Sequence, residues 1–351
     1  MKNYRKLRIG KGSISFLIGR KALFSFIILA LLTACAIVFS AGIGERFISP
    51  GTVAKTFFGM GDPADELIIM SFRMPRILVA LFAGVCLAAA GSILQGLIRN
   101  PLASPDIIGV TGGASVAVVL FLMLFSDKSN ALIVSISWLP VAAFVGAALA
   151  GMIVYFLSYK NGASTFRLVL IGIGFSMLAK SLTTLFMIKG PIYRTSQANV
   201  WITGSVYGSN WQDVNILIPV ALILLLICVI TARNINIQTL GEELATGVGS
   251  SVQRNRFLLL LLSTAFAGIA VAFSGTVGFV GLMAPHIARR LVGSSFGALL
   301  PVAALIGGLL VLIADIIGRT LFAPVEVPAG VFTAAIGAPY FIYLLYKSRN
   351  Q

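Results

Sequence analysis

This chain predicts an all-α, polytopic membrane protein of about ten transmembrane helices, on three observations. Hydrophobic residues make up 58% of its 351 positions and charged ones only 11%. Its mean hydropathy is +1.00. Its apolar runs are about 20 residues long and lack the alternation of a barrel strand. In lipid a helix bonds every backbone group within itself, which satisfies the strictest demand of that solvent.

The spans fall at 22–42, 76–98, 107–125, 138–157, 168–188, 214–232, 257–274, 277–288, 299–314 and 329–346; the eighth is short and needs Gly-rich residues on both sides. They leave a basic N-terminal segment, 1–21, one membrane domain over 22–346 and a tail, 347–351. Alternating the connections puts 17 of the 26 basic residues on the side of the N-terminus and eight opposite, so both termini are expected in the cytoplasm. The net charge of +15 therefore reads as membrane topology and not as nucleic-acid binding. Cys35, Cys86 and Cys228 sit in apolar runs at spacings that fit neither a disulfide framework nor a zinc site, and no metal or cofactor is expected.

In chain order, the first span passes LTAC at 32–35, which looks like a lipoprotein cleavage site. The apolar run continues through Ala36, Ile37, Val38 and Phe39, so it reads as a retained crossing. After an external loop, 45–66, RMPR at 73–76 opens the second span with Pro75 in a first turn, where its missing N–H costs nothing. The 22 residues between Arg76 and Arg99 carry no charge; such a run makes a helix of roughly 33 Å, enough for a hydrocarbon core of about 30 Å. RNPLASPDIIG then breaks the helix at Pro101, and Ser104, Pro105 and Asp106 read as cap, first position and acidic first turn of the next.

Lys180 is a charge within the fifth span, open to two readings, a pathway residue or an interfacial side chain that snorkels. The external connection 189–213 carries Trp201, Tyr207 and Trp211, suited to a headgroup boundary. In the longest internal loop, 233–256, Thr239 and Glu242 make a capping box and Gly247 or Gly249 can end the turn, so a short helix outside the membrane offers a docking surface. His286, the only histidine, has no second ligand nearby and reads as structural, while Asp315 and Arg319 stand four apart with Glu326 close behind. An offset of 184 pairs Phe82, Ala83 and Gly84 with Phe266, Ala267 and Gly268, Gly91 with Gly275, Pro101 with Pro285, and Gly109, Gly113 and Ala114 with Gly293, Gly297 and Ala298. The copies start on opposite sides, which predicts an inverted repeat.

With RMPR, AGVCLAAAGSILQGLIRNPLASPDIIGV, WITGSVYGSNW, LGEELATGVG, GTVGFVGLMAPHIAR and ADIIGRTLFAPVEVPAGVFTAAIGAPYFIYLL, the chain resembles the FecCD-type permease subunits of bacterial ABC importers for iron siderophores, haem and vitamin B12. The resemblance implies a cytoplasmic-membrane subunit that pairs with a second permease, identical or paralogous, above two ATP-binding subunits and below an extracytoplasmic substrate-binding protein. It implies that Arg73, Arg76 and Arg319 meet acidic residues of that binding protein. It further implies that Leu240, Gly241, Glu242, Glu243, Leu244, Ala245, Gly247 and Gly249 couple to the ATPase. The sequence contains no GxxxxGK[ST] loop, so a transport subunit and not an enzyme is expected. An iron-siderophore cargo is the first expectation, with haem or cobalamin as alternatives. A stand-alone ion-coupled transporter or channel would need carboxylates near the midplane, whereas all 11 acids fall at or beyond span ends.

Overall fold

The computed structural model describes residues 4–9, 14–44, 46–127, 131–160, 164–190 and 192–348. Glu45, Lys2, Lys11, Lys128 and Arg349, which entered the loop and charge assignments, lie outside the described residues. Ten helices answer to the ten spans: α1 (Arg20–Gly42), α4 (Met74–Ile98), α5 (Val110–Leu124), α6 (Leu139–Ser158), α7 (Thr165–Lys189), α9 (Trp211–Thr239), α11 (Val252–Ser274), α12 (Val280–Val292), α13 (Phe296–Thr320) and α14 (Ala329–Ser348). Between them lie α2 (Pro50–Phe57), α3 (Pro63–Glu66), α8 (Ile192–Thr203) and α10 (Glu242–Gly247). Eight of the ten are long and apolar enough to cross a membrane; α5 and α12 are shorter.

Three boundaries differ from expectation. The N-terminal segment, read as a basic tail, holds an antiparallel hairpin of β1 (Tyr4–Ile9) and β2 (Ile14–Gly19). The helix that carries RMPR does not begin there: it starts at Pro63, widens into a π-helix over Leu67–Arg73 and continues as α4. In an ordinary helix the Pro75 ring would meet the carbonyl four residues earlier, and the wider turn, in which the Met74 N–H reaches Ile69 O, relieves that clash. Finally, Ser104 does not cap a helix. Its carbonyl accepts from Ile107 N and Asp106 O accepts from Gly109 N, so 101–109 is a run of turns, and α5 starts only after Gly109, whose φ is +83°.

Helix α4 is apolar on every side because it is enclosed, packing against α9, α11, α12 and α13. Lipid supplies no hydrophobic drive between helices, so close backbone approach decides their association. Gly84 faces the Gly307 carbonyl of α13, and Gly91 faces the Gly281 carbonyl of α12 so closely that a Cβ would stand 1.7 Å from it. Ser263 of α11 donates to Ala90 O at 3.0 Å.

The packing is consistent with the repeat. α4 lies on α13 as α11 lies on α6, α5 on α6 as α12 on α13, and α6 on α7 as α13 on α14, so exchanging α4–α7 for α11–α14 exchanges these contacts. The single offset of 184 fails beyond the first pair of helices, because it sets the start of α5 against the start of α13. Two shifts add up: α11 ends only 176 residues after α4, and the connection that follows, 275–279 against 99–109, is shorter. Nor does α12 borrow residues on both sides: it extends to Val292 but begins only after Phe279, whose φ is +66°.

Candidate functional site: two polar ends of the bundle

At one end, Arg73, Arg76 and Arg319 converge on a depression of about 410 Å³ that also includes Arg46 and Glu326. All three side chains already have partners. The π turn aims Arg73 back at the end of α1, where it donates to Ala41 O, and at the loop beyond it, where it donates to Arg46 O, each at 2.6 Å. Arg319 donates to Ile43 O at 2.8 Å and to Ser40 Oγ at 2.8 Å, with Ser40 O a further acceptor. Helix α1 ends with no basic residue of its own, so these two guanidiniums satisfy its orphan carbonyls and face the negative end of its dipole.

Arg76 spans the two carboxylates. Its Nη2 stands 2.9 Å from Asp315 Oδ1 and its Nη1 2.9 Å from Glu326 Oε2, with the guanidinium 5.7 Å from the Tyr207 ring centre. Asp315 also faces Arg319 Nε at 3.7 Å, so the expected local pair exists but is the weaker half of a long-range network. Because α13 runs on to Thr320, Asp315 lies inside a helix, 2% exposed, and not at the span end that the sequence suggested. The outermost member is Glu326. Trp211, expected as a headgroup aromatic, donates its indole N–H to Met70 O in the π segment at 2.8 Å.

At the opposite end, α10 is the short helix expected outside the bundle, but Thr239 does not cap it. Helix α9 runs through Thr239, whose hydroxyl bonds back to Asn236 O at 2.7 Å, and Gly241 (φ +107°) forms the break. The far end behaves as predicted: with Gly249 at φ +79°, Ser250 N reaches Ala245 O at 3.0 Å and Gly249 N reaches Thr246 O at 2.9 Å, a Schellman closure. Leu240, Leu244 and Val248, four apart, are 56%, 63% and 64% exposed, and Ala245 is the buried side that seats the turn. Glu242 is tied to the buried Arg256 at 3.4 Å, while Glu243 points to solvent. These exposed apolar side chains beside the exposed Glu243 make the segment a candidate surface for another protein. The sequence flagged the segment but not these three exposed apolar residues, one at the end of α9, one in α10 and one at the C-terminal cap of α10.

Lys180 lies between the ends, exposed on α7. Gly174, Met177, Ser181, Thr184 and Ile188 are exposed on the same stretch, and the last two line an open depression of about 510 Å³ with Thr195 and Asn199 of α8. Helix α8 was missed in sequence because its composition is mixed. His286 accepts from Arg290 Nε at 3.1 Å and packs edge-on to Tyr340. Among the described residues no three His, Cys, Asp or Glu side chains are grouped so as to hold a metal.

The model of the FecCD transport family matches residues 30–347. The chain belongs to the FecCD transport family. It is 72% identical over 346 residues to "Probable siderophore transport system permease protein YfhA" of Bacillus subtilis, covering 99% of this chain and all of the relative. It is 43% identical to the achromobactin transport system permease protein CbrC of Dickeya dadantii, covering 95% of this chain and 93% of that one. Among solved structures, one described as an inward-facing conformation of a metal-chelate type ABC transporter superposes with a TM-score of 0.81 at 32% identity, covering 92% of this chain and 98% of that one. The FecCD member described here is thus a membrane-spanning transport permease.

Proposed function

We propose that the chain is the permease subunit of a bacterial ABC importer that carries an iron-siderophore complex across the cytoplasmic membrane. The observation that carries this reading is one bundle with two unlike polar ends. One is an arginine-lined depression, and the other is the short α10 with exposed apolar side chains in and beside it. A substrate-binding protein fits the first through acidic side chains that exchange with Glu326 on Arg76, with Arg73 and Arg319 forming the base. The partner ATPase fits the second, gripping Leu240, Leu244 and Val248 while Gly241, Gly247 and Gly249 shape the turn around Glu242, Glu243 and Ala245. ATP hydrolysis there moves α10 and alternates the access of the pathway. A second permease, identical or paralogous, covers the polar face of α7, making Lys180 a pathway residue. The relatives named for siderophore and achromobactin transport support the iron-chelate cargo.

The ion-coupled alternative has less support. Asp315, the carboxylate that lies inside α13, is held by two arginines and offers no free ligand atom set. Proteoliposomes that hold the permease pair, supplied with its substrate-binding protein and prepared with and without the ATPase, decide between the two. Uptake of a ferric siderophore only with ATPase and ATP is the expected result; uptake that persists without any ATPase overturns the reading.

A further inference from the structure

A second cavity, about 440 Å³, opens at the α10 end between α4, α9, α12 and α13. Arg99, Arg289 and Arg290 line it, and none of them joins an ion pair among the described residues. Two further polar groups in its lining lack partners. Gln95, 2% exposed, spends its amide N–H on Leu282 O at 3.1 Å and leaves Oε1 unbonded. His286 accepts from Arg290 at Nε2, which places the ring hydrogen on Nδ1, and that buried nitrogen has no acceptor. Arg99 also closes α4 at φ +54°, a conformation that glycine adopts more cheaply.

Three uncompensated cations, one orphan N–H and one orphan carbonyl around a single cavity fit an anion that both accepts several hydrogen bonds and donates one. We propose that this pocket binds a phosphate-bearing anion, either the headgroup of an anionic phospholipid or free phosphate. Basic pockets between helices at a membrane face suit such headgroups. The site is independent of the transport reading, since it uses neither the arginine depression nor the exposed apolar side chains in and beside α10.

The test is native mass spectrometry of the full chain released from nanodiscs of phosphatidylglycerol and phosphatidylcholine in equal amounts. Wild type and R254Q, which removes an exposed arginine at the same end but outside the pocket, should retain phosphatidylglycerol, and R99Q/R289Q should retain at least about ten-fold less. On wild type alone, sodium phosphate is compared with sodium chloride at equal ionic strength. Displacement of the lipid by phosphate shows one site open to both sources, and lipid retained against phosphate assigns the headgroup. Equal retention by wild type and R99Q/R289Q, with no effect of phosphate on the wild-type unfolding midpoint, overturns the proposal. So does a pair of pocket substitutions that alters only co-elution with an ATPase, which would make these arginines a protein contact.

Discussion

Asp315 sits between Arg76 and Arg319 with almost no water, and that arrangement decides what each substitution around it should do. Removing the carboxylate leaves two guanidiniums in a largely dry site, and breaking a buried pair in this way costs about 3–5 kcal/mol. Asp315→Ala should therefore lower the unfolding midpoint of the detergent-solubilised chain sharply. Glu326 is half-exposed, and a pair of that kind is worth about 0–1 kcal/mol, so Glu326→Gln should leave the midpoint nearly unchanged. Its effect belongs to docking: with Glu326 neutral, Arg76 loses its internal competitor, and affinity for the binding protein should rise at low salt and converge with wild type at high salt. Arg76→Glu should cut the same affinity by at least about ten-fold, as reversal of one close charge pair does. Equal affinities for all three proteins at low ionic strength would remove Arg76 from the docking surface.

The helices show where elements depend on a single atom. A Cβ at Gly91 would lie within bonding distance of the Gly281 carbonyl, so Gly91→Ala must push α4 and α12 apart. Overpacking of this kind costs about 1–3 kcal/mol, read as a lower midpoint, while Gly174→Ala, which meets nothing, should leave the midpoint unchanged or raise it slightly through helix propensity. On α10 the sign is opposite: Leu244→Asp touches an exposed side chain, so stability should stay within about 0.5 kcal/mol while co-purification of the ATPase is lost. The ten helices were legible because the length and apolarity of a span are properties of the chain itself. The exact starts of α4 and α5 were not, because Pro75 can open a helix or be taken up by a wider turn, and Gly109 can enter the left-handed region or continue a helix, and the chain alone does not choose. Arg73, Arg76 and Arg319 could be picked out as a group, but not the α1 carbonyls that occupy Arg73 and Arg319 or the hold of Arg76 on Asp315, partners that lie 32 to 279 residues away in sequence.

For the molecule as a whole, the two ends carry opposite instructions, and orientation decides whether they can be obeyed. In the proposed importer the arginine depression faces the binding protein and α10 the ATP supply, which places Lys55 outside and Arg254 inside if basic residues are retained in the cytoplasm. The chain's own thiols make this easy to measure. Cys86 and Cys228 are buried, so replacing the exposed Cys35 with Ser yields a background that a maleimide does not modify. In intact cells a membrane-impermeant maleimide should label Lys55→Cys in that background and leave Arg254→Cys unlabelled until the membrane is opened. The reverse pattern would put α10 on the side without ATP and would remove the coupling role together with the docking role. Labelling of both in intact cells, with the protein monodisperse after extraction, would mean a mixed insertion that no pair of fixed docking ends can use.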